Sequence, residues 1–302
     1  MSLPAGVHVL CRDFNEYSTS LPTEVATCQF GDAEPVRLFC KHYHAEGGQA
    51  RVGSVVPHYE IDVYRSLLAS APVSLPQFRG SWSDDESGDG LLVLGNIENA
   101  VRVTKGSDHK YDMERAASWA GRFHRFAEGQ VSRPALAFMR HVDLDDTMTR
   151  SLQLVEWTAK MADEKKFFER LVSGFDQIRS IVSSSPLTVI HGDYYPQNIL
   201  VSEGVTYPVD WETASIGFGE IDLAMLLEGY WAEDIIERCV AAYISARGGA
   251  AEDVRKRLAA AQIISNVYWI SLYPESELLA EDTTEPPWRF DLLQTAASSL
   301  LP

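Results

Sequence analysis

The chain is 302 residues long and 45% hydrophobic, enough to bury a sizeable core in one bilobal unit or two domains. Its 43 acidic residues against 26 basic ones leave a net charge of −17. So acidic a balance argues against duplex nucleic acid or an anionic membrane as a partner, and it fits either a cationic ligand or a plain solvated acidic surface.

The first third reads as β-rich. Val25–Phe30 is a strand candidate, Gly31-Asp32-Ala33-Glu34-Pro35 is turn chemistry, and Val36–Tyr43 (VRLFCKHY) is a second strand, so the pair predicts a hairpin. Gly47-Gly48 lies in the loop that follows. A helix is expected over about His58–Ser70, with Tyr64, Leu67, Leu68 and Ala71 on one face and Pro72 and Pro76 ending it. Gln77–Trp82 and Leu91–Leu94 are strand candidates on either side of the acidic loop Ser83–Gly90. Gly95-Asn96 breaks the pattern, which places a lobe boundary there, with residues 1–95 before it and 96–302 after it.

Beyond that boundary the chain is mostly helical. Met113, Ala116, Ala117, Ala120, Phe123 and Ala127 share a face at helical spacing. Helical patterns continue over about Thr147–Ser183, give way to short β-branched runs at Leu187–Ile190 and Val205–Val209, and resume after Gly219. None of the cysteines Cys11, Cys28, Cys40 and Cys239 forms a C-x-x-C pair, so neither a zinc site nor a disulfide framework is expected. Met1–Leu10 has no basic region leading into an apolar run, and no stretch of about 18 apolar residues occurs. A cytoplasmic protein without a membrane span is the expectation.

The chemistry is concentrated in Val189–Leu200, VIHGDYYPQNIL. A short strand delivers a loop carrying Asp193 and Asn198, and a second apolar run, TYPVDWE, ends at Asp210. Phosphoryl transfer asks a protein for positioning, charge neutralisation and a hydroxyl aimed at phosphorus. Asp193 suits the acceptor of the hydroxyl proton. Asn198 and Asp210 offer the hard oxygen ligands that Mg2+ takes, without piling negative charge beside a triphosphate. The order H-x-D-x-x-x-x-N followed by a strand-end Asp is the spacing of a kinase catalytic loop and its metal aspartate. Singly, each of these residues reads as an ordinary turn residue; as an ordered set they do not.

A triphosphate also needs a cation. Lys41 closes the strand VRLFCKHY, and Glu60 lies on the inward face of the next helix, where an unpaired carboxylate is costly. The two are expected to pair and to hold an ammonium on the phosphates. Glu212, two residues past Asp210, is expected to face the same way, either supporting a second ion or pairing with a basic residue.

HGDYYPQNILV followed by VDWE resembles the aminoglycoside phosphotransferase and choline kinase family, most clearly over Arg115–Leu227. The resemblance implies an α+β, two-lobed, protein kinase-like fold, with a small β-rich N-terminal lobe, a larger helical C-terminal lobe, and ATP (or GTP) with Mg2+ bound. It implies the base role for Asp193, metal roles for Asn198 and Asp210, and nucleotide contacts from Lys41, Glu60 and the hinge at Leu94 and Asn96. His191 and Asp222 are implied as structural supports, Asp222 by accepting backbone N–H bonds from the catalytic loop. His124, in RAASWAGRFHRF, is read as packing. Two departures stand: no G-x-G-x-x-G precedes the hairpin, leaving Ser18–Thr23 to cover the phosphates, and the hinge lacks acidic residues.

The implied acceptor is a hydroxyl of a small molecule. The aromatic run Asn266–Tyr273 with Trp288 fits a quaternary ammonium, the acidic Glu275–Glu285 fits an aminoglycoside, and Tyr194 and Tyr195 stand beside the base. Equally, an aromatic stripe at helical spacing is core. A catalytically silent nucleotide-binding regulator on the same fold is the alternative, against which stands the presence of every core residue. A hydrolase built on His191, Asp193 and Glu212 would lack a G-x-S-x-G elbow.

Overall fold

Turn chemistry at Gly31, with φ +58°, folds β2 (Thr23–Phe30) back onto β3 (Val36–Tyr43), and the register sets Thr23 opposite Lys41. In this computed structural model the described residues are 7–15, 21–43, 58–84, 86–106, 108–272 and 287–301. β1 (Val7–Phe14), β4 (Phe78–Ser83) and β5 (Gly90–Gly95) complete an antiparallel five-stranded sheet in the order β1-β2-β3-β5-β4. Side chains alternate across a strand. One face of the sheet therefore carries Ala26, Cys28, Leu38 and Cys40 packed with Leu91 and Val93, while Lys41, Leu92 and Leu94 belong to the other face. The helix expected over His58–Ser70 is shorter: α1 spans Tyr59–Ser66, Leu67 leaves helical geometry at φ −134°, and a 3-10 turn follows over Leu68–Ser70.

This sheet and α1 belong to a unit of residues 1–101 that also takes in residues 200–212, a segment the sequence reading assigned to the C-terminal lobe. There β8 (Ile199–Ser202) and β9 (Val205–Pro208) lie beside the two-residue β6 (Val101–Arg102), in the order β6-β8-β9. Ser74 Oγ donates to the Thr206 carbonyl at 2.6 Å, and Glu60 accepts from the Trp211 amide at 2.9 Å. These contacts hold the segment to the unit.

The other unit, residues 102–199 and 213–302, is mainly helical. Its helices are α2 (His109–Glu128), α3 (Leu144–Trp157), α4 (Ala162–Ser173), α5 (Phe175–Val182), α6 (Glu220–Leu226), α7 (Glu233–Arg247), α8 (Ala251–Ile270) and α9 (Pro287–Leu300). All six residues of the predicted stripe on α2 are fully buried, and Trp119 joins them. α2 packs on α7, with Gly121 so near that an added Cβ would sit 2.7 Å from the Tyr243 carbonyl and 2.8 Å from Ala246 Cβ. Asp143 caps α3 by accepting from the amides of Asp145 and Asp146. β7 (Leu187–Ile190) pairs antiparallel with β10 (Ser215–Phe218), and this small ribbon carries the H-G-D loop. The expected α+β architecture is thus what the structure has: an antiparallel sheet first, then a mostly helical part. The four cysteines are unbridged, and among the described residues no helix is long and apolar enough to cross a membrane.

Candidate active site

In the sheet-bearing unit, β3 delivers Lys41 to a group of carboxylates. Its ammonium is 2.8 Å from Glu60 Oε2, in close contact with Asp210 Oδ1, and 3.5 Å from Glu212 Oε2. Burial alone would push the ammonium's pKa down. The attraction of Glu60, Asp210 and Glu212 overturns that, and the pKa stands well above the ordinary lysine value. Glu60 is buried and fully engaged. Its Oε2 also accepts from Tyr43 Oη at 2.7 Å, and its Oε1 takes the Trp211 amide. Both carboxylate oxygens of Glu60 are thereby satisfied, which is what a carboxylate needs in such a place.

Asp210 and Glu212 differ from Glu60 in being partly open to solvent, at 35% and 23% of their side chains. Burial raises the Glu212 carboxyl above its ordinary range, Lys41 opposes that, and Asp210 and Glu60 add to it. Asp210 itself adopts φ +71°, a left-handed conformation uncommon outside glycine. Oxygens of Glu60, Asp210 and Glu212 all lie within 4.8 Å of one another. Hard carboxylate oxygens at such spacing suit Mg2+. Because Glu60 is committed to Lys41, Tyr43 and Trp211, the pair that fits an ion is Asp210 with Glu212. Of the two roles expected of Glu212, ion support or pairing with a basic residue, a basic residue is at hand: Lys41 stands within long reach of it.

Leu94 is buried on β5 and shares the Lys41 face of the sheet. Asn96 follows the strand, donating its amide to the Arg37 carbonyl at 3.2 Å and its side chain to Glu98 at 2.8 Å. Ser18–Ser20 of the expected phosphate-covering segment lie outside the described residues, as do Gly47-Gly48 and Glu275–Glu285. Thr23, the last of the covering segment, opens β2 and accepts from Asn15 Nδ2 at 3.1 Å.

In the helical unit the ribbon β7–β10 presents the second cluster. Gly192 has φ +78°, and a Cβ there would lie 2.4 Å from the Thr213 carbonyl, so only glycine lets the chain turn between His191 and Asp193. Asp222, in the first turn of α6, accepts the His191 amide on Oδ2 at 2.7 Å and the Gly192 amide on Oδ1 at 3.0 Å. His191 Nδ1 accepts the Asp193 amide at 3.3 Å, so the neutral ring holds its proton on Nε2. A 3-10 turn over Pro196–Asn198 swings Asn198 back, and its Nδ2 donates to Asp193 Oδ2 at 2.7 Å and to the Asp193 carbonyl at 3.0 Å. The carboxylate is thereby fixed in rotamer, and the amide oxygen of Asn198 remains its acceptor end.

His124 does more than pack. Its Nε2 is 3.0 Å from Asp222 Oδ2 and its Nδ1 is 3.1 Å from Tyr243 Oη. Complete burial pushes its pKa below the ordinary histidine value, and the bond to Asp222 offsets this in part. Of the tyrosines beside the base, Tyr194 is core: it stacks on Trp119 and donates to the Ala116 carbonyl at 2.9 Å. Tyr195 donates to Glu228 Oε1 at 3.0 Å. Glu228 and Arg289, which meet it there, were missed by sequence reasoning, since neither belongs to a motif and only tertiary packing unites them.

The structure thus gathers Lys41, Glu60, Asp210 and Glu212 in one unit, and His191, Asp193, Asn198 and Asp222 in the other. A profile of the APH phosphotransferase enzyme family matches residues 26–260. A direct comparison with curated protein sequences finds no match. Among solved structures, a choline/ethanolamine kinase family protein from Mesorhizobium loti is similar over 95% of this chain and 86% of its own, with 15% identity and a TM-score of 0.58. An aminoglycoside 2'-phosphotransferase-IIIa, solved as its GDP complex, is similar over 97% and 94%, with 14% identity and a TM-score of 0.64. An amicoumacin kinase solved in complex with AMP-PNP, Ca2+ and Ami is similar over 99% and 88%, with 12% identity and a TM-score of 0.53. These likenesses show the fold to be kinase-like.

Proposed function

The chain belongs to the APH phosphotransferase enzyme family and is a small-molecule phosphotransferase, and we propose that it moves the γ-phosphoryl group of ATP or GTP to a hydroxyl of a small cationic acceptor. The observation that carries this reading is the H-G-D loop, in which Asn198 fixes the Asp193 carboxylate at 2.7 Å while Asp222 anchors the two preceding amides. In the proposed reaction Asp193 accepts the acceptor's hydroxyl proton. The hydroxyl oxygen forms the new bond to the γ-phosphorus, and the bond to the bridging oxygen breaks, leaving the nucleoside diphosphate.

Lys41 supplies the positive charge for the phosphates, and Glu60, with Tyr43 and the Trp211 amide, keeps that ammonium in place. Leu94 offers an apolar surface and Asn96 the hinge backbone to the base. Asp210, with Glu212 beside it, and Asn198 in the catalytic loop would each offer an oxygen ligand to Mg2+. Mg2+ supplies neutralisation of phosphate charge when bound. His191 and Asp222 position the loop without touching substrate. Nucleotide use is supported by relatives solved with GDP and with AMP-PNP and Ca2+. A cationic acceptor is supported by the net charge of −17 and by relatives described as aminoglycoside and choline/ethanolamine kinases.

The test is a thermal-shift screen with Mg-ATP and Mg-GTP, then with aminoglycosides, choline, ethanolamine and other amino alcohols, followed by turnover on the hits. Asp193→Asn should lower kcat by about 10²–10⁴-fold while nucleotide affinity holds. Full activity in that variant would remove the base assignment.

A further inference from the structure

Two residues past Asp193, Tyr195 enters a cluster that the phosphotransfer chemistry does not use. The Glu228 carboxylate is only 8% exposed, and its Oε1 accepts from Tyr195 Oη at 3.0 Å and Ser265 Oγ at 2.7 Å. Its Oε2 lies 2.7 Å from Arg289 Nη1. The guanidinium of Arg289 sits over two indoles, 4.5 Å from the Trp288 ring centre and 5.1 Å from that of Trp269. Trp269 in turn donates its Nε1–H to Tyr195 Oη, with the two rings edge-on at 5.9 Å. Burial raises the Glu228 carboxyl above its ordinary range, opposed by Arg289.

A buried carboxylate, two aromatic faces and a delocalised cation between them make a cation site, and here the cation is the chain's own. We infer that Arg289 is a resident stand-in for the acceptor's cationic group, and that a cationic acceptor binds by displacing its guanidinium from Glu228 and the indoles. Glu228, Trp269 and Arg289 then set acceptor selectivity. The purpose of the site rests on the phosphotransfer reading; its measurement does not.

Three features support displacement over a permanent Arg289–Glu228 pair. Arg289 enters from the first turn of α9, an element distant in sequence from Glu228. Arg289 meets Oε2, at 2.7 Å, whereas Oε1 is held by two hydroxyl donors and stays in place when the guanidinium leaves. With Arg289 in place the pair is neutral, so a second cation gains nothing there unless the first leaves. An intramolecular partner competes at an effective concentration of roughly millimolar order, which would make the native site admit cations selectively and weakly until Arg289 swings out.

The experiment uses the full chain without nucleotide, at constant ionic strength. The probes are choline and its uncharged isostere 3,3-dimethylbutan-1-ol, read by calorimetry and by the fluorescence of the indoles that Arg289 covers. The expected result is that Arg289→Met tightens choline by about tenfold or more and leaves the neutral alcohol unchanged. Arg289→Lys, which keeps a competing cation, should behave much more like the native chain. Glu228→Gln should abolish the preference for choline over the isostere. The inference is overturned if Arg289→Met leaves choline affinity unchanged or weakens it, or if the neutral alcohol gains as much. Should Arg289→Met fail to fold, retention of charge preference in Glu228→Gln is the overturning result. Normal probe behaviour with no turnover on any acceptor would sink the phosphotransfer reading alone. Turnover with no response to these substitutions would sink only the displacement.

Discussion

Replacing Asp222 by Asn isolates what the loop anchor does. The carboxylate is 1% exposed and accepts the amides of His191 and Gly192 on separate oxygens, with His124 Nε2 against one of them. An amide side chain has one acceptor oxygen, so one of those backbone N–H groups must face an NH2 donor. An orphaned buried donor costs about 1–3 kcal/mol, and the surviving bond, no longer charge-assisted, loses about 1 kcal/mol more. The relief of removing a buried charge subtracts from this, leaving roughly 2–4 kcal/mol against the local opening of the loop. At about 1.4 kcal/mol per decade, amide exchange over residues 187–200 should quicken by about 30- to 1000-fold, while peptides of α9 stay unchanged. Hydrogen-exchange mass spectrometry reads this directly, and kcat should fall in the same variant because Asp193 loses its fixed position. If exchange at residues 191–192 changes less than about twofold, the anchor is not what holds the loop.

Glu60→Gln should let the Lys41 ammonium settle wholly on Asp210 and Glu212, so the Mg2+ concentration for half-maximal activity should rise about tenfold or more; an unaltered Mg2+ dependence would refute that division of partners. His124 contributes to pH dependence with a definite sign. Its folded pKa lies below its ordinary 6.5, so its stabilisation is complete above 6.5 and is lost as pH falls below it, and His124→Gln should flatten the slope of Tm against pH on the acid side. Gly121→Ala drives a Cβ to 2.7 Å from the Tyr243 carbonyl and should cost about 1–3 kcal/mol by denaturant unfolding, with the far-UV spectrum unchanged.

Much of this was legible in the residues, for identifiable reasons. The α2 stripe repeats at the helical period and is buried throughout, so pattern and packing agree. The H-x-D-x-x-x-x-N spacing is local, and a 3-10 turn of three residues is enough to bring Asn198 back to Asp193. Lys41 and Glu60 could be paired because an inward-facing carboxylate demands a partner. β1 escaped because it is an exposed edge strand, with no buried alternation to mark it. β10 escaped because Ser215–Phe218 is only four residues long and contains a glycine. The attachment of residues 200–212 to the sheet-bearing unit depends on contacts such as Glu60 with the Trp211 amide, which no local pattern encodes. His124 looked like packing since its partners Asp222 and Tyr243 arrive from α6 and α7; a fully buried, unaccounted imidazole was the only available signal.

The distribution of charge gives the last step. Where this chain buries a carboxylate for structure, it balances it: Glu24 meets Arg12 at 2.6 Å and His42 at 2.8 Å, Asp222 meets two amides and His124, and Glu220 meets Arg257 at 2.9 Å. Around Lys41 one ammonium meets the carboxylates of Glu60, Asp210 and Glu212, and of these Asp210 and Glu212 are the two left partly open. Asp210 also holds a left-handed backbone that a non-glycine residue adopts at a cost of about 1–3 kcal/mol. A buried structural ion pair would need neither the solvent access nor the strain. A site that must receive a divalent cation with a polyphosphate needs carboxylate oxygens open to solvent, and a lysine ready to exchange carboxylates for phosphate. That openness, more than any single distance, separates the proposed phosphoryl-transfer site from the buried salt bridges elsewhere in the same fold.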